Sequence, residues 1–268
     1  KLIKSVRKDM LQGNWPKDCV RCMQEEQSGL RSRRIYENES WNLTVEQAKE
    51  FTEGDGTIDS KKFPLVYYDL RFGNLCNLAC RMCGPEDSHT WYKDWAKMYG
   101  PEWDDTHGKV KLQKNSKGRW VTDAYDWHYS TKFWDHIESN LQNIQHVYMA
   151  GGEPLLIERH YEFLQKCIDA GVAKNIIIEY NTNLTNIPHK VLPMWEKFKL
   201  IRIGASIDGY GKVQEYQRYP SKWSAIEKNL QKIDSMPQNI SAWIAFTVTN
   251  INVYHVPEFI SWKLQQNF

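Results

Sequence analysis

The sequence is poor in the features that mark membrane proteins and nucleic-acid-binding proteins. Among its 268 residues, no apolar run approaches the roughly 20 needed to span a bilayer, and no signal peptide is visible. Basic and acidic residues nearly balance, 35 against 33, so a net charge of +2 favours neither nucleic acid nor an anionic membrane as partner. The eight histidines show no H-x3-H or H-E-x2-H spacing, which removes the usual zinc-hydrolase classes. We expect a cytoplasmic protein.

What is present is typical of a folded chain. Apolar residues make up 41% of the sequence and charged residues 25%, so disorder is not expected. The sequence begins without Met inside a helical pattern (1–13) and stops inside another (261–268). We therefore expect a fragment that lacks sequence at both ends.

The six cysteines are grouped rather than scattered. They form a pair (Cys19, Cys22), a C-x3-C-x2-C triplet (Cys76, Cys80, Cys83) and a single residue, Cys167. In a reducing compartment we expect thiols and thiolates rather than disulfides. Cys167 lies in an amphipathic helical pattern, so we expect a buried, inert thiol there.

From about residue 62, short apolar and β-branched runs alternate with helical stretches. This alternation predicts an α/β fold with parallel strands covered on both faces, either a sheet or a barrel. The strand candidates are 63–72, 146–151, 175–181, 200–207 and 242–249, and the helices between them include 158–171, 189–198 and 222–234.

A polar or glycine-containing motif follows every predicted strand. Parallel α/β folds build their sites where the carboxyl ends of the strands meet, so the motifs should share one face. In chain order they are the cysteine triplet, GGEP (151–154), NTN (181–183), SIDG (206–209) and TN (249–250).

About sixty residues separate the triplet from the second predicted strand. The segment at about 87–140 holds half of the 12 tryptophans: Trp91, Trp95, Trp103, Trp120, Trp127 and Trp134. One interpretation is a helix plus an insertion with its own aromatic core, and the other is a lid that shapes a substrate cavity. We predict an N-terminal segment at 1–60 and a core domain at 61–268 that carries this insertion.

The triplet has two chemical interpretations. A structural zinc site needs four ligands, and a site built from Cys19, Cys22, Cys80 and Cys83 leaves Cys76 unexplained. Three thiolates on one short loop suit instead a [4Fe-4S] cluster whose fourth iron stays open to an external ligand.

The ordered motifs resemble the radical SAM superfamily. C-x3-C-x2-C after a strand is its signature, and the resemblance runs from about Leu65 to Val256. It implies a partial (β/α)6 TIM-like barrel with about five strand–helix units, a [4Fe-4S] cluster and S-adenosylmethionine (SAM) on the open iron. Met82 departs from the pattern, because the family often has an aromatic residue before the last cysteine.

The resemblance also implies a set of SAM-binding residues. The GGE motif matches the segment that contacts the methionine amino group, and SIDG matches the segment that meets the ribose or carboxylate. Arg218 resembles an arginine that neutralises the SAM carboxylate, and Asn250 is a weaker match for a nucleoside contact. The implied set is Gly151, Gly152, Glu153, Asn183, Ser206, Asp208 and Arg218.

Residues 5–34, which contain Cys19 and Cys22, resemble the tail of a SPASM or twitch auxiliary-cluster module. The resemblance implies a second Fe–S cluster with its other ligands upstream of Lys1. A zinc knuckle or two unligated thiols remain the alternatives.

The sequence thus predicts a radical SAM enzyme that cleaves SAM and abstracts hydrogen from a substrate. The family analogy implies a peptide or protein substrate and an electron donor such as flavodoxin or ferredoxin. The alternatives are a zinc-stabilised binding module and a homologue that binds SAM without cleaving it. No catalytic side chain beyond the cofactor sites is assigned.

Overall fold

The computed structural model describes residues 2–59, 63–106, 108–236 and 239–266. The chain divides into two compact units, Lys1–Pro64 and Leu65–Phe268, called unit 1 and unit 2 below. Nowhere in the described ranges is a helix both long and apolar enough to cross a membrane.

Unit 1 is helical, and polar side chains fix where its helices begin. Ser32 caps one helix by accepting a hydrogen bond from the backbone N–H of Ile35. Thr44 and Gln47 form a reciprocal capping box at the start of another. The helices are α1 (Leu2–Leu11), α2 (Val20–Gln27), α3 (Arg33–Ser40) and α4 (Val45–Phe51), with a 3₁₀ turn at Lys17–Cys19.

Unit 2 is built on a parallel sheet, as the alternating pattern predicts. Its five strands lie in chain order, each hydrogen-bonded in parallel to the next. They are β1 (Tyr67–Leu70), β2 (His146–Met149), β3 (Ile177–Thr182), β4 (Leu200–Ala205) and β5 (Ile240–Ile244). The α/β prediction with about five strand–helix units is therefore confirmed.

The helices of unit 2 follow the strands. They are α5 (Tyr92–Tyr99), α6 (Thr131–Asn140), α7 (Glu158–Asp169), α8 (Leu192–Trp195), α9 (Gly211–Gln217), α10 (Trp223–Asp234) and α11 (Val256–Leu264). The predicted helix at 189–198 is shorter, because its first turn, His189–Val191, is 3₁₀. The predicted fifth strand at 242–249 begins and ends earlier, at Ile240 and Ile244, since Thr247 donates its N–H to a side chain instead of a strand.

The three central strands of the described sheet are fully buried on one face and mostly half-buried on the other, so the predicted cover on both faces is complete on one face only. Ile178, Tyr180 and Ile203 point into the core beneath the helices. On the opposite face Glu179 lies 2.8 Å from an Arg202 nitrogen and 3.3 Å from Nε2 of His146. Period-two alternation along each strand produces this division, with polar groups kept partly exposed.

The segment at 87–140 has structure of its own. It contains α5, α6 and two short antiparallel ribbons, Glu102–Asp105 with Gly108–Lys111 and Gln113–Lys114 with Trp120–Val121. Trp95 contacts Trp103 with ring centroids 6.3 Å apart, and Phe72 stacks on Trp134 at 6.1 Å. Aromatic packing therefore holds the segment together and joins it to the end of β1.

Candidate functional site

A cavity of about 920 Å³ opens where the carboxyl ends of the strands meet in unit 2. The three cysteines of the triplet line it together with most of the predicted SAM-binding residues. Those present in its wall are Cys76, Cys80, Cys83, Gly151, Gly152, Asn183, Ser206 and Arg218. Motifs that lie up to 142 positions apart in sequence thus share one site, as the strand-end argument predicts.

The cysteine loop presents its sulfurs in a mostly buried setting. Cys76 and Cys80 are buried, Cys83 is half-buried, and all three thiols are free. Burial raises the pKa of Cys76. The Cys83 side chain next to Cys80 lowers the pKa of Cys80, and Cys80 together with burial raises the pKa of Cys83. The Arg218 guanidinium also lowers the pKa of Cys80, because a nearby cation favours the thiolate.

These thiols form a donor set that fits an iron–sulfur cluster. Within the described ranges, no three His, Cys, Asp or Glu side chains are grouped to hold a single metal ion. A cluster makes a different demand, because each thiolate binds its own iron and the sulfurs need not converge on one point. Cys76, Cys80 and Cys83 in one cavity wall meet that demand.

The glycine pair turns sharply against the cysteine loop. Gly151 and Gly152 have φ of +79° and +54°, a backbone conformation that residues other than glycine rarely adopt. A Cβ on Gly152 would lie 2.4 Å from the backbone oxygen of Leu75. The glycines thus allow a close approach to the chain's own backbone at Leu75.

Glu153 does not line the cavity, unlike the two glycines before it. Its side chain is buried and accepts hydrogen bonds from the Thr182 hydroxyl at 2.8 Å and from the N–H groups of Leu155 and Asn183 at 3.2 and 2.8 Å. Burial raises the pKa of Glu153 to about 7, although these three bonds favour the ionised form. Both carboxylate oxygens are therefore committed within the protein.

Asn183 reaches the cysteine loop from the end of β3. Its Nδ2 donates to Oδ1 of Asn77 at 2.9 Å and lies 4.0 Å from the Cys76 sulfur. Its Oδ1 accepts from the N–H and hydroxyl of Thr185. The amide is thereby oriented with its donor side toward the sulfur.

Asp208 and Arg218 form a buried ion pair beside the thiols. The Nε of Arg218 donates to Asp208 at 2.6 Å, and the other Asp208 oxygen accepts from the N–H of Thr247 at 2.9 Å. Burial opposes the charge of Arg218, but Asp208 and Cys80 more than offset it, so the pKa of Arg218 is raised. Of these two predicted SAM-binding residues, only Arg218 lines the cavity.

The nucleoside candidate Asn250 is exposed and is not in the cavity wall. The buried asparagine of that turn is Asn252, whose Nδ2 donates to the carbonyls of Asp208 and Thr247, both at 2.9 Å. Two asparagines two positions apart look alike in sequence, so nothing there distinguishes the buried one.

A second wall of the cavity was not predicted from the sequence. It contains Asp69, Tyr148 and Asn181 together with Arg71. The first three lie on one face of the sheet, so strand alternation is the signal that could have identified them. The long insertion adds Asp105, Thr106, Ala124, Tyr125 and Trp127. No local motif distinguishes these insertion residues in the sequence.

The other two predicted ligands lie in unit 1. Cys19 ends the 3₁₀ turn and Cys22 lies in the first turn of α2, and both are half-buried free thiols. Their spacing of three positions suits one side of a helical turn. Cys22 also lines a surface cavity of about 560 Å³.

Comparisons with known proteins find likeness in structure. No protein-family model and no curated protein matches the chain. A solved chain described as native anSMEcpe with bound AdoMet is 18% identical, with a TM-score of 0.48 over 76% of this chain and 50% of that one. Streptococcus suis SuiB bound to S-adenosylmethionine is 15% identical, with a TM-score of 0.46 over 92% of this chain and 48% of SuiB.

SuiB bound to the precursor peptide SuiA is 14% identical, with a TM-score of 0.43 over 91% of this chain and 48% of SuiB. This chain thus spans about half the length of these structures. Two of them hold the cosubstrate that the sequence motifs imply.

Replacing Gly152 with alanine tests the close packing of the glycine turn. We expect Gly152→Ala to lower the free energy of unfolding by more than about 3 kcal/mol, because the new Cβ meets backbone that cannot move aside. Gly171→Ala is the matched control, since Gly171 also has positive φ but has nothing within 4 Å of its Cβ position. Its cost is about 1–2 kcal/mol, from backbone strain alone.

The measurement is urea unfolding of both variants and the wild type. Equal losses in the two variants would contradict a tight turn against the cysteine loop.

Proposed function

We propose that unit 2 is the core of a radical SAM enzyme, with a [4Fe-4S] cluster on Cys76, Cys80 and Cys83. The carrying observation is that these three thiols share one cavity with the glycine turn, Ser206 and Arg218. When bound, such a cluster supplies the electron that cleaves SAM reductively, giving a 5′-deoxyadenosyl radical that abstracts hydrogen from a substrate.

The chain's own residues then bind and orient SAM. Gly151 and Gly152 bring backbone to the wall of the cavity, and Ser206 offers a hydroxyl. Arg218 is held by Asp208 through Nε, so the rest of its guanidinium is fixed as a cation for the SAM carboxylate. Glu153 and Asp208 act through their neighbours, because their carboxylates bind within the protein.

A zinc-stabilised binding module and a SAM-binding homologue without cleavage are the competing functions. The first requires colourless protein with one tightly held zinc. The second requires coloured protein that binds SAM and forms no 5′-deoxyadenosine. The colour of the purified protein and the formation of 5′-deoxyadenosine therefore distinguish the three candidate functions.

Removing one ligand of the triplet tests the proposed cluster. We expect Cys76→Ala to abolish the formation of 5′-deoxyadenosine after anaerobic reconstitution with iron and sulfide and addition of dithionite and SAM. The reason is that a cluster with two protein thiolates is not held. Cys167→Ala is the control, because Cys167 is a buried thiol in the core outside the cavity wall.

Product is measured by chromatography and iron by visible absorbance. Cleavage that persists in Cys76→Ala would overturn the proposal, and loss in both variants would point to misfolding.

We propose that Cys19 and Cys22 of unit 1 hold part of an auxiliary Fe–S cluster. Cys19 and Cys22 supply two thiolates at helical spacing, and the remaining ligands lie elsewhere in the full-length protein. We expect iron and sulfide analysis of the full-length protein to give clearly more than the roughly four iron atoms of one cubane. The variant Cys19→Ala/Cys22→Ala should return the content to about four. A wild-type content of about four would contradict a second cluster.

The substrate we propose is a peptide or protein that binds against the second wall of the cavity. A volume of about 920 Å³ lies at the upper end of small-molecule sites, which suits a cavity that would hold the cluster, SAM and a substrate group together. The Tyr125 hydroxyl donates to Asp105 at 3.0 Å, and Trp127 adds an indole surface. One similar structure, SuiB, is described as bound to a precursor peptide.

Electrons come from a cytoplasmic donor of the flavodoxin or ferredoxin type.

Variants of the insertion test its role in substrate selection. We expect Tyr125→Phe to lower kcat/KM for a candidate peptide by about tenfold, because the variant loses the hydrogen bond that holds Asp105 in the cavity wall. Cleavage of SAM without peptide should stay unchanged, because Tyr125 lies on the insertion. Tyr129→Phe is the control, since Tyr129 is exposed and outside the cavity wall.

Kinetics with candidate peptides encoded near the gene provide the readout. Equal values for Tyr125→Phe and Tyr129→Phe would leave the insertion as a packing element only and contradict the lid.

A further inference from the structure

Four consecutive residues, 88–91, bind the backbone of the cysteine loop through their side chains. We call this segment the clamp. It begins five positions after Cys83 as a capped 3₁₀ turn, in which Ser88 accepts the N–H of Thr90. Its side chains reach residues 76, 78 and 80, so every second residue of the loop from Cys76 to Cys80 is held.

The strongest contacts are at Leu78. Its carbonyl accepts from the Ser88 hydroxyl at 2.6 Å and from the Thr90 hydroxyl at 2.7 Å. Leu78 and Ser88 are both buried. A buried carbonyl without a donor is costly, and this loop has no strand partner at Leu78 to supply one. The two hydroxyls therefore determine whether this loop conformation is favourable.

Two of the three cysteines are held in the same way. The N–H of Cys76 donates to Nδ1 of His89 at 3.2 Å, and the indole N–H of Trp91 donates to the carbonyl of Cys80 at 3.2 Å. On its other side the loop pairs with Arg218–Tyr219, where Cys80 lies opposite Arg218. The clamp and this short pairing hold the loop from two directions.

From these contacts we infer that the clamp holds the cysteine loop in its ligand-bearing conformation before any cluster arrives. The inference rests on the proposed function for its purpose, because a preformed loop lets the cluster bind without first ordering the chain. All of the bonds are between protein groups, so none depends on a cofactor. Ser88 and Thr90 are positioning residues: they act on the cysteines through the backbone.

Hydrogen exchange of the cluster-free protein tests the inference directly. The variant Ser88→Ala/Thr90→Val removes both donors to Leu78 and keeps the shape of residue 90. We expect amide exchange in peptides covering 76–83 to become at least about tenfold faster, because the buried carbonyl loses its partners. Thr90→Ser is the matched control: it keeps the hydroxyl, and exchange should match the wild type.

Exchange within β3 serves as the internal reference. It should be unchanged in every variant, and if the double variant unfolds throughout, the single variant Thr90→Val carries the same test. Loop exchange equal to that of the wild type in both Val-containing variants would overturn the inference.

A second readout connects the clamp to cluster loading. During anaerobic reconstitution, the visible absorbance of the double variant should develop about tenfold more slowly than that of the wild type, and Thr90→Ser should restore the wild-type rate. Wild-type protein that takes up no iron would contradict the proposed function, whereas the exchange experiment would still decide whether the clamp orders the loop.

Discussion

The site depends first on one buried carboxylate. Glu153 accepts hydrogen bonds from Leu155, Thr182 and Asn183, and its own N–H donates to the carbonyl of Leu75 at 2.8 Å. It thereby connects the loops that follow β1, β2 and β3. The three donors offset part of the cost of burying this carboxylate, and a smaller side chain would leave them unpaired. The relative position of thiols, glycine turn and Asn183 follows from this residue.

A second buried acid does the same for the rest of the cavity. Asp208 joins the loop after β4 to Arg218 and to Thr247, and Asn252 fastens the Asp208 carbonyl. The Asp208 carboxylate thus pairs with the Arg218 guanidinium without any ligand, and this pairing offsets the cost of burying the positive charge. Both acidic residues that the motifs assigned to SAM therefore bind within the protein. The predicted SAM-binding residues that do line the cavity are glycines, an amide, a hydroxyl and the Arg218 guanidinium.

The pattern of strands and strand ends was predictable because each follows from local periodicity and from the geometry of parallel sheets. Cys76, Gly151, Asn183 and Ser206 were brought to one cavity from motifs that are far apart in sequence. The residues that were missed make contacts with no local signal. Trp127 lies in the cavity wall where it packs on Phe72, and Tyr125 lies there with its hydroxyl bound to Asp105. The Ser88 hydroxyl reaches the Leu78 carbonyl because the chain turns back on itself.

The sequence by itself determined the class of fold and the chemical character of the site, since thiols at fixed spacing and period-two strands are properties of short segments. The tertiary structure decided which groups face the cavity and which make their hydrogen bonds within the protein. Glu153 and Asn183 look equally available in the sequence, yet a buried carboxylate must find donors nearby, and Asn183 supplies one of them. Burial and hydrogen-bond satisfaction are properties of the whole fold, so only the folded chain assigns them.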